Sequence, residues 1–430
     1  MAPLETDDQR AWFDHERFGL FVHWGLYSLA ARHEWVLSRE RMTDEAYRRY
    51  ASFFEADLYD PGEWATAAAA AGMGYGVLTT KHHDGFCLWD SALTDYTTRN
   101  TPFGRDAVAE FVEAFRSAGL RVGLYHSLID WHHPDFPIDV FHPRRDDADA
   151  GAQNSRRDIA RYREYLHGQV TELLTRYGRV DYVFFDFSYP DVEGPGGLAG
   201  KGPVDWGAEE LLALVRRLQP AALVNDRLGI PADLVTPEQY QPSRPMTRDG
   251  RRVRWEACQT INGSWGYDRD NRSDKTPDSI VRMLVDGVSK DGNLLLNVGP
   301  TGRGDLDPSA TSTLAEIGRW MRRHERAVRG AGPSPYRPPP DCRYTQRGDR
   351  LYLHLFAWPH THVHLPDLAG RVRYAQLLHD ASEVALTASG GDGEGQNTTP
   401  AAQPPGTLTL TLPSRRPDVA VPVVELFLAS

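Results

Sequence analysis

The chain has 430 residues, 40% of them hydrophobic, and a formal net charge of -11. That length allows a large core with a second, smaller unit, and the acidic balance argues against nucleic acid or an anionic membrane surface as the main partner, since both reward a basic face. No apolar run is long enough to span a bilayer and MAPLETDDQRAW lacks the regions of a secretory leader, so a soluble, cytoplasmic protein is expected.

From the N-terminus, FGLFVHW (18–24), YGVLTTK (75–81), VGLYHS (122–127), VDYVFFDF (180–187), ALVNDR (222–227), VRWEACQ (253–259) and NLLLNV (293–298) read as short apolar strands. Amphipathic helices separate several of them. Asp158 to Tyr177 places Ile159, Tyr162, Leu166, Val170 and Leu173 three or four apart and stops at Gly178. Another helix begins with Thr276 as N-cap and Pro277 at its first position, and a third covers Leu314 to Ala327. Such alternation means a parallel sheet with helices outside it. The seven visible strands approach the eight of a closed barrel, which predicts a (β/α)8-like, TIM-type barrel over residues 1–335 with an indistinct eighth unit. An open doubly wound sheet is the alternative, but no G-x-G-x-x-G or G-x-x-x-x-G-K follows any strand.

GPSPYRPPP (332–340) reads as a linker. Beyond it RLYLHLFAW, HTHVHLP, TLTLTLP and VPVVELFLA are β-rich without intervening helices, which predicts a C-terminal antiparallel β-sandwich over 341–430. The apolar-poor stretch 388–406 is expected to be a mobile loop within it. Cys87, Cys258 and Cys342 are far apart, odd in number and without a C-x-x-C pair, as expected of buried inert thiols. The sequons at Asn262 and Asn397 are chance matches if no leader directs the chain to secretion.

The unusual polar residues fall at the C-terminal ends of different strands: His23-Trp24, Lys81-His82-His83-Asp84, Tyr125-His126, Asp186 and Asn225-Asp226-Arg227. In a barrel these ends share the face that carries the active site. Asp186 stands on a strand face with Tyr182 and Phe184, where an ionised carboxylate is costly unless paired or used. A second carboxylate should accompany it, and Glu238 after the fifth strand or Glu256 on the sixth can serve; for Glu256 a buried structural hydrogen bond competes with catalysis. Two chemistries fit. Metal-assisted hydrolysis would use His23, His82, His83 and Asp186, although adjacent histidines on a strand point to opposite sides. Glycoside hydrolysis would use two carboxylates, with Trp24, Trp35, Trp89, Trp131, Trp255 and Trp265 available to pack on a sugar, Trp255 being the one best suited to the core.

Taken together, FGLFVHWGLYS, KHHDGFCLWDS, GLYHSLIDWHHPD, DYVFFDF, NDR, WEACQTINGSWGY and KDGNLLLNVGPTGRG resemble the α-L-fucosidases of glycoside hydrolase family 29, over roughly residues 10–335. The resemblance implies a retaining exo-hydrolase of fucosylated oligosaccharides, without metal or other cofactor, on a distorted barrel with a C-terminal sandwich. It implies Asp186 as nucleophile and His23, Glu34, Trp35, His82, His83, Arg227 and Trp265 as fucose-binding residues. The third-strand element is Tyr125-His126 here, either of which can reach the sugar. For the acid/base, spacing from NDR puts Glu238 ahead of Glu256. A metal-dependent barrel hydrolase and a fucose-binding protein without catalysis are the rival readings.

Overall fold

The computed structural model describes residues 8–388 and 403–429. The sequon at Asn397 and most of the expected 388–406 loop lie outside the described residues. Eight parallel strands form one sheet: β1 Phe18–Val22, β2 Tyr75–Lys81, β3 Arg121–Ser127, β4 Tyr182–Asp186, β5 Leu223–Val224, β6 Leu234–Val235, β7 Arg254–Thr260 and β8 Asn293–Val298. β1 pairs with both β2 and β8, and a parallel bridge between Asn225 and Leu234 joins the two remaining edges, so the sheet is a nearly closed barrel.

Parallel strands covered on both faces need apolar residues throughout, and β1, β2 and β8 are buried along their whole length. Alternate residues divide between two cores. Phe21, Tyr75, Val77, Tyr125, Tyr182, Phe184, Leu223, Leu234, Cys258 and Leu295 fill the lumen, with Trp12 and Phe13 of the N-terminal helix closing its floor. Leu20, Val22, Leu78, Leu124, Val183, Phe185, Leu294 and Leu296 face outward and pack with the surrounding helices.

Those helices are capped as their sequences dictate. The Asp158 carboxylate accepts from Ala160 N ahead of the helix Ile159–Arg176, and Thr276 accepts from Ser279 N ahead of Pro277–Val288. The helix expected from Leu314 begins at Pro308, because Asp307 caps it by accepting from Ser309 N and Ala310 N.

Two departures shape the site. The fifth run is a two-residue strand, followed by a 3-10 turn Asp226–Leu228 and then by β6 with no helix between them. β6 also reaches β7 without a helix, through a small hairpin pairing Thr247–Arg248 with Arg251–Arg252. The barrel wall is therefore unhelical from β5 to β7, and Glu256 belongs to the seventh strand rather than the sixth.

The C-terminal strands form an antiparallel four-stranded sheet and a three-stranded sheet that share one apolar cluster. Cys342–Arg347, Val372–Leu377 and Ala385–Ala388 are strands that the sequence pattern did not signal. Trp320 Nε1 donates to Val421 O at 2.8 Å and Arg326 pairs with Glu425, tying this unit to the barrel helices. All three cysteines are free and buried, and no helix among the described residues is long and apolar enough to cross a membrane.

Candidate active site

A cavity at the C-terminal rim of the barrel is lined by Phe21, His23, Trp35, His82, His83, Tyr125, Phe184, Asp186, Phe187, Glu238, Cys258 and Trp265. Each strand end delivers its side chain by ordinary geometry. His23 follows β1, with its amide bonded to Val298 O and its Nδ1 2.6 Å from Asn297 Oδ1. β2 ends at Lys81, so His82 and His83 lie past the pleat and strand alternation does not apply to them. Their rings sit side by side, centroids 4.0 Å apart, and both line the cavity, which corrects the expectation that they point to opposite sides.

The turn beneath these histidines is built from buried charge. Asp84 accepts from Tyr47 OH at 2.7 Å and from Phe86 N, so it supports the loop and does not enter the cavity. Lys81 is fully buried, paired with Asp130 at 3.2 Å and set over the rings of Tyr162 and Tyr165. Gly85 has a φ of 78°, and a Cβ there would meet Asp130 Oδ1 at 2.3 Å, so the turn requires glycine.

On β3, Tyr125 faces the lumen and donates its hydroxyl to Asp186 Oδ2 at 2.9 Å. His126, its neighbour, faces outward against Trp89 and Thr80 and is not brought to the cavity. Asp186 ends β4. Burial pushes its carboxyl up to about 6, opposed chiefly by the Arg227 guanidinium. Arg227, on the 3-10 turn after β5, reaches Asp186 Oδ1 at 3.4 Å with Nη1 and Glu238 Oε2 at 2.8 Å with Nη2. One guanidinium thus holds both carboxylates. The backbone around Glu238 is fixed against β7 by Gln239 N to Cys258 O and Cys258 N to Pro237 O, both at 3.0 Å.

Glu256 is elsewhere. It lies near the start of β7, opposite Asn293, fully buried at the barrel floor, and accepts from the hydroxyls of Tyr75 and Tyr182. Burial pushes its carboxyl up to about 8. Because the folded state raises this pKa above the ordinary 4.5, the carboxyl's contribution to stability is complete below about pH 4.5 and is lost as pH rises toward 8. Glu256→Gln should keep near-normal turnover, and its melting temperature relative to wild type should be higher at pH 8.5 than at pH 5. A collapse of turnover without unfolding would return this residue to the candidate carboxylates.

Glu34 is buried outside the cavity lining, where Oε2 accepts from Trp265 N at 3.1 Å and Gly266 N at 2.8 Å. It orients Trp265, whose ring lies 5.2 Å from that of His23. Of the tryptophans, Trp35 and Trp265 line the cavity; Trp131 backs Trp35 and His83, while Trp24, Trp89 and Trp255 are core. Burial lowers the pKa of His23 to about 3 and those of His82 and His83 well below 6.5, so the imidazoles are neutral. Among the described residues no three His, Cys, Asp or Glu side chains are arranged to hold a metal ion.

Phe187 was not foreseen. Directly after Asp186 on a strand it would point away, but its φ of 88° turns the ring back onto the cavity wall, against Trp35 and His83. Ser127 and Asn297, the partners of His83 and His23, were also missed. Both are short polar residues at strand ends, the position that had marked the others.

The family model described as α-L-fucosidase matches residues 1–326. The chain is 30% identical to the tissue α-L-fucosidase of Homo sapiens over 84% of its length and 78% of that protein. Its fold matches α-L-fucosidase isoenzyme 1 from Paenibacillus thiaminolyticus with a TM-score of 0.90 and 44% identity, over 99% of each chain. It also matches, at 25% identity and a TM-score of 0.81 over 98% of this chain and 96% of the other, a family 29 α-L-fucosidase from Bacteroides thetaiotaomicron described as a trapped covalent intermediate with 2-fluoro-fucosyl fluoride. With a rim cavity lined by two carboxylates that one arginine bridges, the chain belongs to the α-L-fucosidases of glycoside hydrolase family 29.

Proposed function

We propose that the protein removes terminal α-L-fucosyl residues from oligosaccharides or glycoconjugates with retention of configuration, Asp186 acting as nucleophile and Glu238 as acid/base. The observation that carries this reading is the Arg227 guanidinium shared by these two carboxylates at the rim, while Glu256 lies sealed among tyrosines at the floor. Their environments suit opposite duties. Asp186 is 15% exposed and fixed by Tyr125 and Arg227, as an attacking group must be; Glu238 is 40% exposed, as suits a group that meets a leaving alcohol and then water.

In the first half-reaction an Asp186 oxygen bonds to the anomeric carbon while Glu238 gives its proton to the departing glycosidic oxygen. In the second, Glu238 takes a proton from water, which attacks the anomeric carbon and releases Asp186. Two carboxyls working in this way stand about 5–5.5 Å apart. The trapped intermediate described for the Bacteroides relative supports the covalent step. Neutral His23, His82 and His83 would grip hydroxyls, and Trp35, Trp265 and Phe184 offer apolar surface to a carbon that lacks one.

The test is hydrolysis of an aryl α-L-fucoside followed by NMR. The first-formed sugar should be the α-anomer, and β-L-fucose as first product would overturn the retaining assignment. Turnover should be the same with and without chelator; loss on chelation and recovery with one divalent ion would favour the metal-assisted route.

A further inference from the structure

His23 and His83 each have one ring nitrogen hydrogen-bonded to a side chain. Asn297 Nδ2 donates to Trp265 O at 2.6 Å, and a carbonyl oxygen can only accept. Asn297 Oδ1, at 2.6 Å from His23 Nδ1, must therefore receive its proton from the ring. His23 is the Nδ1–H tautomer, with a lone pair on Nε2. For His83 the assignment turns on the Ser127 hydroxyl. Ser127 Oγ accepts from Ile129 N at 3.0 Å and has a single proton, for which Ile129 O at 2.8 Å and His83 Nδ1 at 2.7 Å are both in reach. Placed on Ile129 O, in the same turn, that proton leaves the contact to His83 Nδ1 as a hydrogen bond from the ring. Nε2 of His83 is bare and lies 3.9 Å from the acceptor Asp186 Oδ2, with which it makes no hydrogen bond.

We infer that Ser127 and Asn297 are positioning residues that fix the cavity's selectivity: by locking both imidazoles as Nδ1–H tautomers they leave two Nε2 acceptors, which select a ligand that offers O–H donors at both places. The same ligand carrying fluorine, an ether or hydrogen there is refused. This rests on the reading of the cavity as a fucoside site. Burial adds to the lock by keeping both rings neutral, so neither Nε2 acquires a proton in the working pH range. His82 stands between them without such a lock, its Nδ1 buried and without a hydrogen-bond partner among the described residues. Ser127 ends β3 and Asn297 lies near the end of β8, so the device is part of the barrel rim and does not depend on a mobile loop.

The experiment has two arms on the intact protein. Histidine-selective 15N labelling with long-range 15N–1H correlation reads the tautomers directly, the signals being assigned by their loss in His23→Asn and His83→Asn. Protonated Nδ1 and unprotonated Nε2 are expected for both; a proton on Nε2 of either ring overturns the inference for that ring, whatever the enzyme's activity. The second arm measures binding of L-fucose and its mono-deoxyfluoro analogues by calorimetry. Wild type should lose about tenfold or more in affinity at the hydroxyls that meet the two rings. Ser127→Ala should bring the loss at one of those hydroxyls toward unity, with Ser127→Thr restoring it. Equal weakening of every analogue in Ser127→Ala would mean that the hydroxyl serves packing alone and would overturn the selectivity. Should Ser127→Ala fail to fold, the wild-type tautomers and the wild-type analogue series still decide. Absence of L-fucose binding with both Nε2 atoms bare would retire the fucoside reading and leave the tautomer assignment standing.

Discussion

Asp186→Gly is expected to lower fucoside turnover on the order of 10⁴-fold, because the covalent half-reaction loses its nucleophile while the pocket and Glu238 remain. On the proposed mechanism the vacated space would lie on the face of the sugar from which the carboxylate attacks. Azide admitted there should restore part of the turnover on an activated aryl fucoside and give β-L-fucosyl azide, a product of inverted configuration. Wild-type rates in this variant, or azide rescue with retention, would remove Asp186 from the role. The pH profile makes a linked claim. On the proposed mechanism Asp186 attacks as the carboxylate, and burial pushes its carboxyl up to about 6, so wild-type kcat/KM should fall as pH drops through that value. Arg227 is the largest influence opposing the rise, ahead of the hydrogen bond from Tyr125. Arg227→Gln should therefore move the acid limb to higher pH, in addition to weakening the substrate.

Glu238→Ala is expected to separate substrates by leaving group. A natural sugar leaves as a poor alkoxide unless protonated, so its hydrolysis should drop by about 10²–10⁴-fold; a nitrophenolate needs almost no acid, and its release should show a burst followed by slow turnover as fucosyl-enzyme accumulates. Azide should then attack that intermediate from the leaving-group face and give α-L-fucosyl azide, of retained configuration. Opposite stereochemistry from two single substitutions is a result that a merely structural pair of carboxylates cannot produce. If the burst and the retained azide appear in Glu256→Gln and Glu238→Ala behaves normally, the two glutamates exchange roles.

The strands 75–81 and 293–298 were legible to the residue, because continuous apolar runs bounded by turns have one economical reading in a sheet covered on both faces. β6 was not, since Leu234–Val235 is too short to carry a period. The rim residues were legible as a set through their place at strand ends. What the sequence pattern could not give was depth: Glu256 and Asp186 both sit on strands, but one lies near its strand's start and the other at its end, and that places them at floor and rim. Alternation failed at His82-His83, where the strand had already stopped, and at Phe187, where a positive φ reverses the expected side. Tyr125 and His126 needed the register of β3 before one could be given to the lumen and the other to the helices.

The barrel wall from β5 to β7 is made of turns and a hairpin where its other sectors have helices, and Glu238 stands on that wall. Loop closure costs only about 0.6 kcal/mol for each doubling of length, so the segment after Glu238 can grow, shrink or be exchanged at small expense to stability. Helices elsewhere pack their apolar faces into the core, so a change of length there disturbs that packing. On the proposed mechanism, the sugar-gripping half of the pocket therefore rests on strand ends packed into the barrel, while the half that would meet the departing alcohol lies beside the segment open to redesign. An engineer seeking a different linkage preference should graft between residues 243 and 251 and leave Gln239, the histidines, Asp186 and Arg227 untouched.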